Sequence, residues 1–200
     1  MPSHYFDEAP SGEMKTKDIK VSLDGREVTV KTSGAIFSPD HVDTGTKILL
    51  EQLHHAPAGG DILDIGCGWG PIALALAMHS PKATVWAIDV NERARELTAL
   101  NAARLGLTNI KVAHPSEVPA DIEFTGIWSN PPIRVGKDVL HEILQTWLAR
   151  LEVGSHAYLV VQKNLGADSL QRWIAASFKD IEIERVDTAK AFRVLRATKA

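Results

Sequence analysis

A glycine-rich loop with an acid at its entrance is the segment of this sequence best suited to hold a ligand. The apolar run 62–65 carries Asp64 and leads into the loop, and Pro71 then opens a helical pattern. The loop residues are Gly66, Cys67, Gly68 and Gly70. Glycine has no Cβ, so a ligand can lie against its backbone, and proline suits the first turn of a helix. The pattern predicts a strand, a turn and a helix, with the ligand at the carboxyl end of the strand.

The glycine spacing and two acids indicate what kind of ligand the loop holds. The spacing is G-x-G-x-G, whereas dinucleotide-binding loops use G-x-G-x-x-G to present a helix N-terminus to a pyrophosphate. A carboxylate at Asp64 would repel phosphate but could accept hydrogen bonds from an ammonium group, directly or through water. Asp89 follows the next apolar run, roughly 20 residues beyond the loop, where an acid takes ribose hydroxyls. Asp64 therefore favours a cofactor that carries an amino acid, and Asp89 favours one that carries a ribose.

A second polar motif, Asn130-Pro131-Pro132-Ile133, follows another apolar run. The prolines fix their φ angles and lack N–H donors, which leaves the Asn130 side-chain oxygen and the Pro131 carbonyl free to accept hydrogen bonds. Two such acceptors could hold an exocyclic amine with its lone pair directed at a methyl donor, so that alignment supplies much of the catalysis. Asn-Pro-Pro alone is also typical of a rigid turn. Its position after the fourth predicted strand of the domain favours the cofactor crevice.

The elements that must position these residues form an alternating pattern from residue 60 onward, which predicts a parallel sheet covered by helices. Strands are predicted at 62–65, 84–88, 110–113, 126–129, 156–162, 181–186 and 192–197. Helices are predicted near 71–79, 92–105, 137–151 and 169–177, with Gly154 beyond the end of the third. The last two strands lack a crossover helix between them. They are therefore expected to form an antiparallel hairpin at the sheet edge.

The first quarter of the chain predicts a small extension. Two runs rich in β-branched residues flank Asp24-Gly25, which tolerates the positive φ angles of a tight hairpin turn. A helical pattern follows at 46–53. We therefore expect an N-terminal extension at 1–55, with a β-hairpin and a lead-in helix, and a main domain at 56–200.

The bulk composition of the 200 residues is that of an ordinary globular protein, with 44% hydrophobic and 24% charged residues. No run is long enough to span a membrane and the start does not resemble a secretory signal, so we expect a cytoplasmic protein. The net charge of −3 gives no global attraction to nucleic acid, so any contact with RNA must be local. The eight histidines and the single Cys67 show no metal-ligand spacing, and no metal site is expected.

With these residues in place, the chain resembles the class I S-adenosyl-L-methionine-dependent methyltransferases, and within them the small-domain family of bacterial ribosomal RNA guanine-N2 methyltransferases. The resemblance is carried by Ile36-Phe37-Ser38, Asp43-Thr44-Gly45-Thr46, 64–71, Asp89-Val90-Asn91, Ser129-Asn130-Pro131-Pro132-Ile133, Gly136-Lys137 and Val161-Gln162-Lys163. It implies a Rossmann-like α/β fold with a seven-stranded, mostly parallel sheet, an antiparallel C-terminal hairpin and the N-terminal β-hairpin extension.

The resemblance also implies roles for individual residues. Asp64 and its loop would line the methionine part of S-adenosyl-L-methionine, Asp89 the ribose, and Asn130 with Pro131 the target amine. The implied cofactor residues are Phe37, Asp64, Gly66, Cys67, Gly68, Gly70, Asp89, Val90, Glu117, Val118 and Asn130. The implied catalytic residues are Asn130, Pro131, Pro132 and Ile133. Related enzymes often have an aromatic residue where this chain has Ile133, and we expect Phe37 to stack on the target base in its place.

The resulting hypothesis is N-methylation of an exocyclic amine, guanine N2 of ribosomal RNA, with Lys137 and Lys163 as either phosphate contacts or surface lysines. Three alternatives stay open: methylation of a protein glutamine amide, a non-catalytic cofactor-binding or RNA-binding module, and, less favoured by the glycine spacing, a nicotinamide dehydrogenase. Trp69 is the one tryptophan expected outside the core, because it lies in the cofactor loop. The sequence does not distinguish a monomer from a homodimer.

Overall fold

The computed structural model describes residues 14–34, 36 and 38–200. The strands are β1 (Thr16–Leu23), β2 (Arg26–Ser33), β3 (Gly59–Ile65), β4 (Lys82–Ile88), β5 (Ile110–Ala113), β6 (Phe124–Ser129), β7 (Leu151–Gln162), β8 (Ile181–Ala189) and β9 (Phe192–Lys199). The α-helices are α1 (Thr44–Leu50), α2 (Pro71–His79), α3 (Glu92–Arg104), α4 (Lys137–Leu148) and α5 (Ala167–Ser177). None of the helices in these ranges is long and apolar enough to cross a membrane.

Seven strands form one sheet in the order β5-β4-β3-β6-β7-β9-β8. The strands from β5 to β7 are parallel, whereas β9 runs antiparallel to both β7 and β8. This confirms the predicted mostly parallel sheet and its antiparallel C-terminal hairpin. After β3 the chain adds β4 and then β5 on one side of that strand, and it returns to add β6 on the other side. The strand order therefore reverses between β3 and β6. Such a switch point opens a crevice at the carboxyl ends of the strands.

The strand register brings the predicted site residues to one level. Ile65, the last residue of β3, pairs with Ile88 in β4 and with Ser129 in β6. Each of these three residues ends its strand. The glycine loop, Asp89 and Asn130 therefore all start one residue beyond the same row of the sheet.

The N-terminal hairpin is confirmed, and its turn has the backbone that the sequence predicts. Asp24 and Gly25 have φ angles of 48° and 71°, and positive φ at both turn residues is the type I′ geometry that matches strand twist. The inner face of the hairpin, with Val21, Leu23 and Val30, belongs to the same hydrophobic cluster as α1 and α2. Residues on both sides of position 55 thus share one core.

Asn101 in α3 joins the hairpin to the main sheet. Its Oδ1 accepts from Lys31 N at 2.7 Å, and its Nδ2 donates to Lys31 O and Trp69 O, both at 2.9 Å. The Asn101 side chain is fully buried, and a buried amide is stabilising only when it is paired in this way. One side chain therefore connects β2, α3 and the glycine loop.

The third predicted helix is shorter than its apolar pattern suggests. Leu140, Leu144 and Leu148 are buried as expected, but α4 ends at Leu148, and Val139 is 46% exposed. Leu151 is the first residue of β7, where it pairs with Phe124. The prediction that the helix continues to 151 is wrong because strand pairing, not the helix face, buries Leu151. Gly154 lies within β7 with a φ of 80°.

Candidate active site

The glycine loop leaves space beside two of its glycines. Gly66 and Gly68 have φ angles of 76° and 58°, which favour glycine. Among the described residues, a Cβ on Gly68 would meet no heavy atom within 4 Å, and one on Gly66 would meet only Pro132 Cδ at 4.0 Å. The backbone N–H groups of Gly66 and Cys67 donate to Ile88 O at 2.9 and 3.0 Å. The loop is therefore tied to β4 while one side of its backbone stays open.

Gly70 and Cys67 serve the packing of the loop against α3. A Cβ on Gly70, whose φ is 97°, would lie 3.1 Å from both Cγ2 and Oγ1 of Thr98. The Thr98 hydroxyl lies 3.5 Å from Cys67 Sγ and donates to Gly68 O at 3.0 Å. Burial raises the pKa of the Cys67 thiol well above its usual value, and a buried, protonated thiol is unreactive.

Asp64 is a buried acid with an unsatisfied acceptor at the base of the loop. It is fully buried, its Oδ2 accepts from Ala73 N at 3.0 Å, and its Oδ1 has no hydrogen-bond partner among the described residues. Burial raises the pKa of Asp64 to about 8, and the nearby Asp89 carboxylate contributes to that rise. An unpaired buried acceptor is costly for a protein to keep. Its chemistry fits a ligand that brings a cation or a hydrogen-bond donor.

Asp89 lies against the loop from the neighbouring strand. Its Oδ2 accepts from Gly68 N at 3.0 Å and its Oδ1 from Asn91 N at 2.9 Å. Burial raises the pKa of Asp89, although these hydrogen bonds act in the opposite direction. Each carboxylate oxygen can accept more than one hydrogen bond, so both can also take hydroxyl donors. The next residue, Val90, is 39% exposed and offers an apolar contact beside them.

Asn130 is held by the lead-in helix. Its Nδ2 donates to Asp43 Oδ2 at 2.8 Å and to Thr46 Oγ1 at 3.1 Å. Sequence reasoning assigns no role to Asp43 or Thr46, which lie more than 80 residues from Asn130 in the chain. The signal that could have pointed to them is an acid placed to cap a helix immediately before the main domain.

The Pro131 carbonyl is not entirely free, which corrects one expectation. It accepts a hydrogen bond from Ile133 N at 2.8 Å. The cause is Pro132, whose φ of −74° and ψ of 73° form the inverse γ-turn that joins the residues on either side. One lone pair of the carbonyl remains for a substrate. Ile133 is partly buried and packs against the core cluster that contains Leu140.

The remaining predicted residues lie in different surroundings. The Glu117 carboxylate accepts from His114 N at 2.7 Å, just beyond β5. Val118 is only 7% exposed and belongs to the core. Phe37 lies outside the described residues, so its expected contact with the target base stays a prediction.

Trp69 is a core residue, contrary to the expectation from its place in the loop. It is 1% exposed and its indole Nε1 donates to Ser38 O at 3.2 Å. It thereby anchors the segment that leads into α1. Within the described residues, no three or more His, Cys, Asp or Glu side chains are grouped as a metal ion would need.

Comparison with known proteins agrees with this geometry. The profile of the family described as Methyltransferase small domain matches residues 27–196. A Bacillus subtilis (strain 168) protein, Uncharacterized protein YbxB, is 34% identical over 202 residues that cover all of both chains. Ribosomal RNA small subunit methyltransferase C of Cronobacter sakazakii is 38% identical over 122 residues, which are 60% of this chain and 35% of that protein.

Among solved structures, a similar fold occurs in the Thermus thermophilus 16S rRNA N2 G1207 methyltransferase (RsmC), determined in complex with AdoMet and guanosine. The TM-score is 0.81 at 24% sequence identity, and the match covers 96% of this chain. It covers 52% of the Thermus chain, so this chain spans about half the length of that enzyme. The family profile spans most of the sequence, including both the glycine loop and the Asn-Pro-Pro motif. The chain belongs to the methyltransferase small domain family.

Proposed function

We propose that this protein transfers a methyl group from S-adenosyl-L-methionine to an exocyclic amine, and that the amine is N2 of a guanine in ribosomal RNA. The observation that carries the proposal is the single row at which β3, β4 and β6 end. Three groups start one residue beyond that row. They are the open glycine loop, the Asp89 carboxylate, which can accept from hydroxyl groups, and the Asn130 side chain, whose oxygen can accept from an amine. The first two suit an aminoacyl nucleoside, and the third suits a target amine.

The acceptor class is supported by the relatives. The Cronobacter protein is a ribosomal RNA small subunit methyltransferase, and the Thermus enzyme modifies N2 of a guanine in 16S rRNA. Two exposed lysines lie at the carboxyl edge of the sheet, Lys137 at the start of α4 and Lys163 directly after β7. Their positive charge and position at this edge support a role in binding RNA phosphates. Arg193 and Arg196, by contrast, form ion pairs with Asp168 and Glu184.

The chain contributes orientation rather than a strong base. The sulfonium of the bound cofactor supplies an electrophilic methyl group. Asn130 Oδ1 and the remaining lone pair of the Pro131 carbonyl accept hydrogen bonds from the target amine and direct its lone pair. Fixing the two reacting atoms in this way removes much of the entropic barrier. The amine nitrogen becomes acidic once it has been methylated, so its proton can leave to solvent after the transfer.

Two variants separate binding from transfer. Asn130→Ala should keep most of its affinity for S-adenosyl-L-methionine in calorimetry, because the glycine loop and Asp89 are retained. It should lose transfer by about 100-fold or more, because the amine loses its acceptor. Asp89→Ala should weaken cofactor binding by about tenfold or more, because a partly buried carboxylate acceptor is removed. Asp121→Ala, at an exposed acid, is the matched control.

The substrate is identified by mass mapping of ribosomal RNA from cells with and without the protein. We expect one guanine to lack its methyl group in the deleted strain and to regain it with purified protein. Full transfer by Asn130→Ala would refute the role of that residue. Labelling of a protein glutamine, with unchanged RNA, would refute the assigned substrate.

A further inference from the structure

We propose that Asp43 is a positioning residue that determines which end of the Asn130 amide faces the substrate. This inference rests on the proposed function, because it concerns the acceptor that holds the target amine. The observation behind it is the contact between Asp43 Oδ2 and Asn130 Nδ2 at 2.8 Å. It links the start of α1 to the residue that follows β6.

A side-chain amide has two ends of nearly equal shape and opposite hydrogen-bonding character. The oxygen accepts two hydrogen bonds and the NH₂ group donates two. A 180° turn about the last side-chain bond exchanges them without a steric penalty. For Asn130 the exchange would turn a donor toward an amine that is itself a donor. The function of the residue therefore depends on its orientation.

Asp43 removes this ambiguity because a carboxylate can only accept. The NH₂ end of Asn130 must face it, and Thr46 Oγ1 takes the other hydrogen of the same group at 3.1 Å. A hydroxyl can either donate or accept, so Thr46 alone would tolerate both orientations. Once both NH₂ hydrogens are bound on this side, Oδ1 faces the opposite way.

Asp43 is itself held in place by the start of α1. Its Oδ2 also accepts from Thr46 N at 3.1 Å, which makes Asp43 the N-cap of the helix. A Cβ on Gly45 would lie 3.0 Å from Asp43 Oδ2 and 2.8 Å from Phe192 Cε1. The turn thus packs closely against β9, and the carboxylate has little freedom to move. A rigid cap is what gives the contact with Asn130 a defined geometry.

The arrangement makes the residue types at positions 43 and 130 interdependent. With Asp43 present, the partner must offer a donor, which an asparagine does and a second carboxylate does not. Two carboxylates at this distance would repel each other and move apart. An amide at position 43 should keep its oxygen toward Asn130, because Thr46 N donates to the same position. Opposite an aspartate it can turn its NH₂ group to position 130, but it then loses the hydrogen bond from Thr46 N.

Four variants and one control test the inference through transfer rates with ribosomal RNA and calorimetry with S-adenosyl-L-methionine. Asp43→Ser keeps a helix cap but is too short to reach Asn130, so kcat should fall by between about tenfold and about 100-fold while cofactor affinity and melting temperature hold. Asp43→Asn should stay within about threefold of the original rate, since the N–H of Thr46 keeps the amide oxygen at the position that faces Asn130. Asp40→Ser, at an exposed acid of the same segment, is the matched control.

The decisive comparison is between Asn130→Asp and the double variant Asp43→Asn/Asn130→Asp. The single variant should lose most of its kcat because two carboxylates then face each other. The double variant should recover kcat by about tenfold or more over Asn130→Asp, because the new amide can donate to the new carboxylate. Its melting temperature should fall, because the turned amide no longer accepts from Thr46 N. Equal rates for these two proteins, or an undiminished rate for Asp43→Ser, would overturn the inference.

A measurement without substrate keeps the inference separate from the proposed function. In ¹⁵N spectra, the side-chain NH₂ signals of Asn130, assigned by their loss in Asn130→Asp, should shift in Asp43→Ser and stay in place in Asp40→Ser. If wild-type protein fails to methylate guanine while these shifts appear, the proposed function fails and the positioning contact stands. Unchanged signals in Asp43→Ser would overturn the positioning role whatever the substrate.

Discussion

Replacing Asp64 with asparagine should change how the stability of the cofactor-free protein depends on pH. Asp64 is fully buried, and within the described part of the chain its carboxyl group accepts one hydrogen bond, from Ala73 N at 3.0 Å. Burial raises its pKa from 3.8 to about 8. The folded protein therefore keeps a proton on Asp64 throughout the range in which the unfolded chain has lost it.

The direction and size of the effect follow from proton linkage. Between pH 3.8 and about 8 the folded state holds one more proton on Asp64 than the unfolded state, so the free energy of unfolding falls as the pH rises. Each pH unit in that range corresponds to about 1.4 kcal/mol. From pH 5 to pH 8 the loss amounts to about 4 kcal/mol. Asp64→Asn retains the acceptor for Ala73 and has no proton to lose, so it lacks this contribution.

Urea unfolding of both proteins from pH 5 to pH 8 measures the effect. The difference in unfolding free energy between the variant and the original chain isolates Asp64, because the other titrating groups are common to both. That difference should move in favour of Asp64→Asn by up to about 4 kcal/mol as the pH rises. Asp121→Asn, at an exposed acid, controls for the loss of one charge. A difference that stays constant across the range would refute the assignment of a protonated, buried Asp64.

Two further predictions concern packing and polar contacts. In urea unfolding, Gly70→Ala should lower the free energy of unfolding by about 3 kcal/mol, because it combines a positive φ with a contact of 3.1 Å to Thr98. The control is Gly154→Ala, which has a positive φ but no described atom within 4 Å of the new Cβ and should lower it by only about 1 kcal/mol. Equal losses for the two variants would contradict the packing argument. Asn101→Leu should lower the free energy of unfolding by about 3 kcal/mol or more, because three hydrogen bonds are lost. In thermal melts it should melt well below the control Asn164→Leu, at an exposed asparagine. Equal melting temperatures would contradict the prediction.

The parts of the fold that are predictable from the sequence depend on local signals. Asp-Gly at positions 24 and 25 allows one tight turn, and the hairpin follows from it. The carboxyl ends of parallel strands must meet at one edge, so the sequence alone brings Gly66, Asp89 and Asn130 together. In each case the relevant physics lies within a few neighbouring residues or in the topology of the sheet.

The parts that the sequence does not reveal depend on partners distant in the chain. A helix-cap pattern can mark Asp43, but its hydrogen bond to Asn130 spans 87 positions, and no local pattern encodes that contact. The sequence pattern extends the apolar stripe of α4 to Leu151 because an apolar residue at helical spacing gives the same pattern whether a helix or a strand buries it. The loop position of Trp69 predicts exposure, whereas the side chain lies in the core cluster that the hairpin, α1 and α2 share. Neither those distant partners nor the hydrogen bond to Ser38 O can be read from the loop itself.

The junction at Asn101 sets a lower limit on the length of chain that can fold. A fragment that begins at residue 56 would lack Lys31 and with it two of the three hydrogen bonds of this buried amide. The same cut would expose the apolar surface that Val21, Leu23 and Val30 cover. Truncation of the hairpin is therefore expected to yield insoluble protein rather than a smaller enzyme. For the same reason, a hairpin transplanted from a relative must bring a backbone N–H and C=O opposite Asn101, which any residue except proline at position 31 supplies.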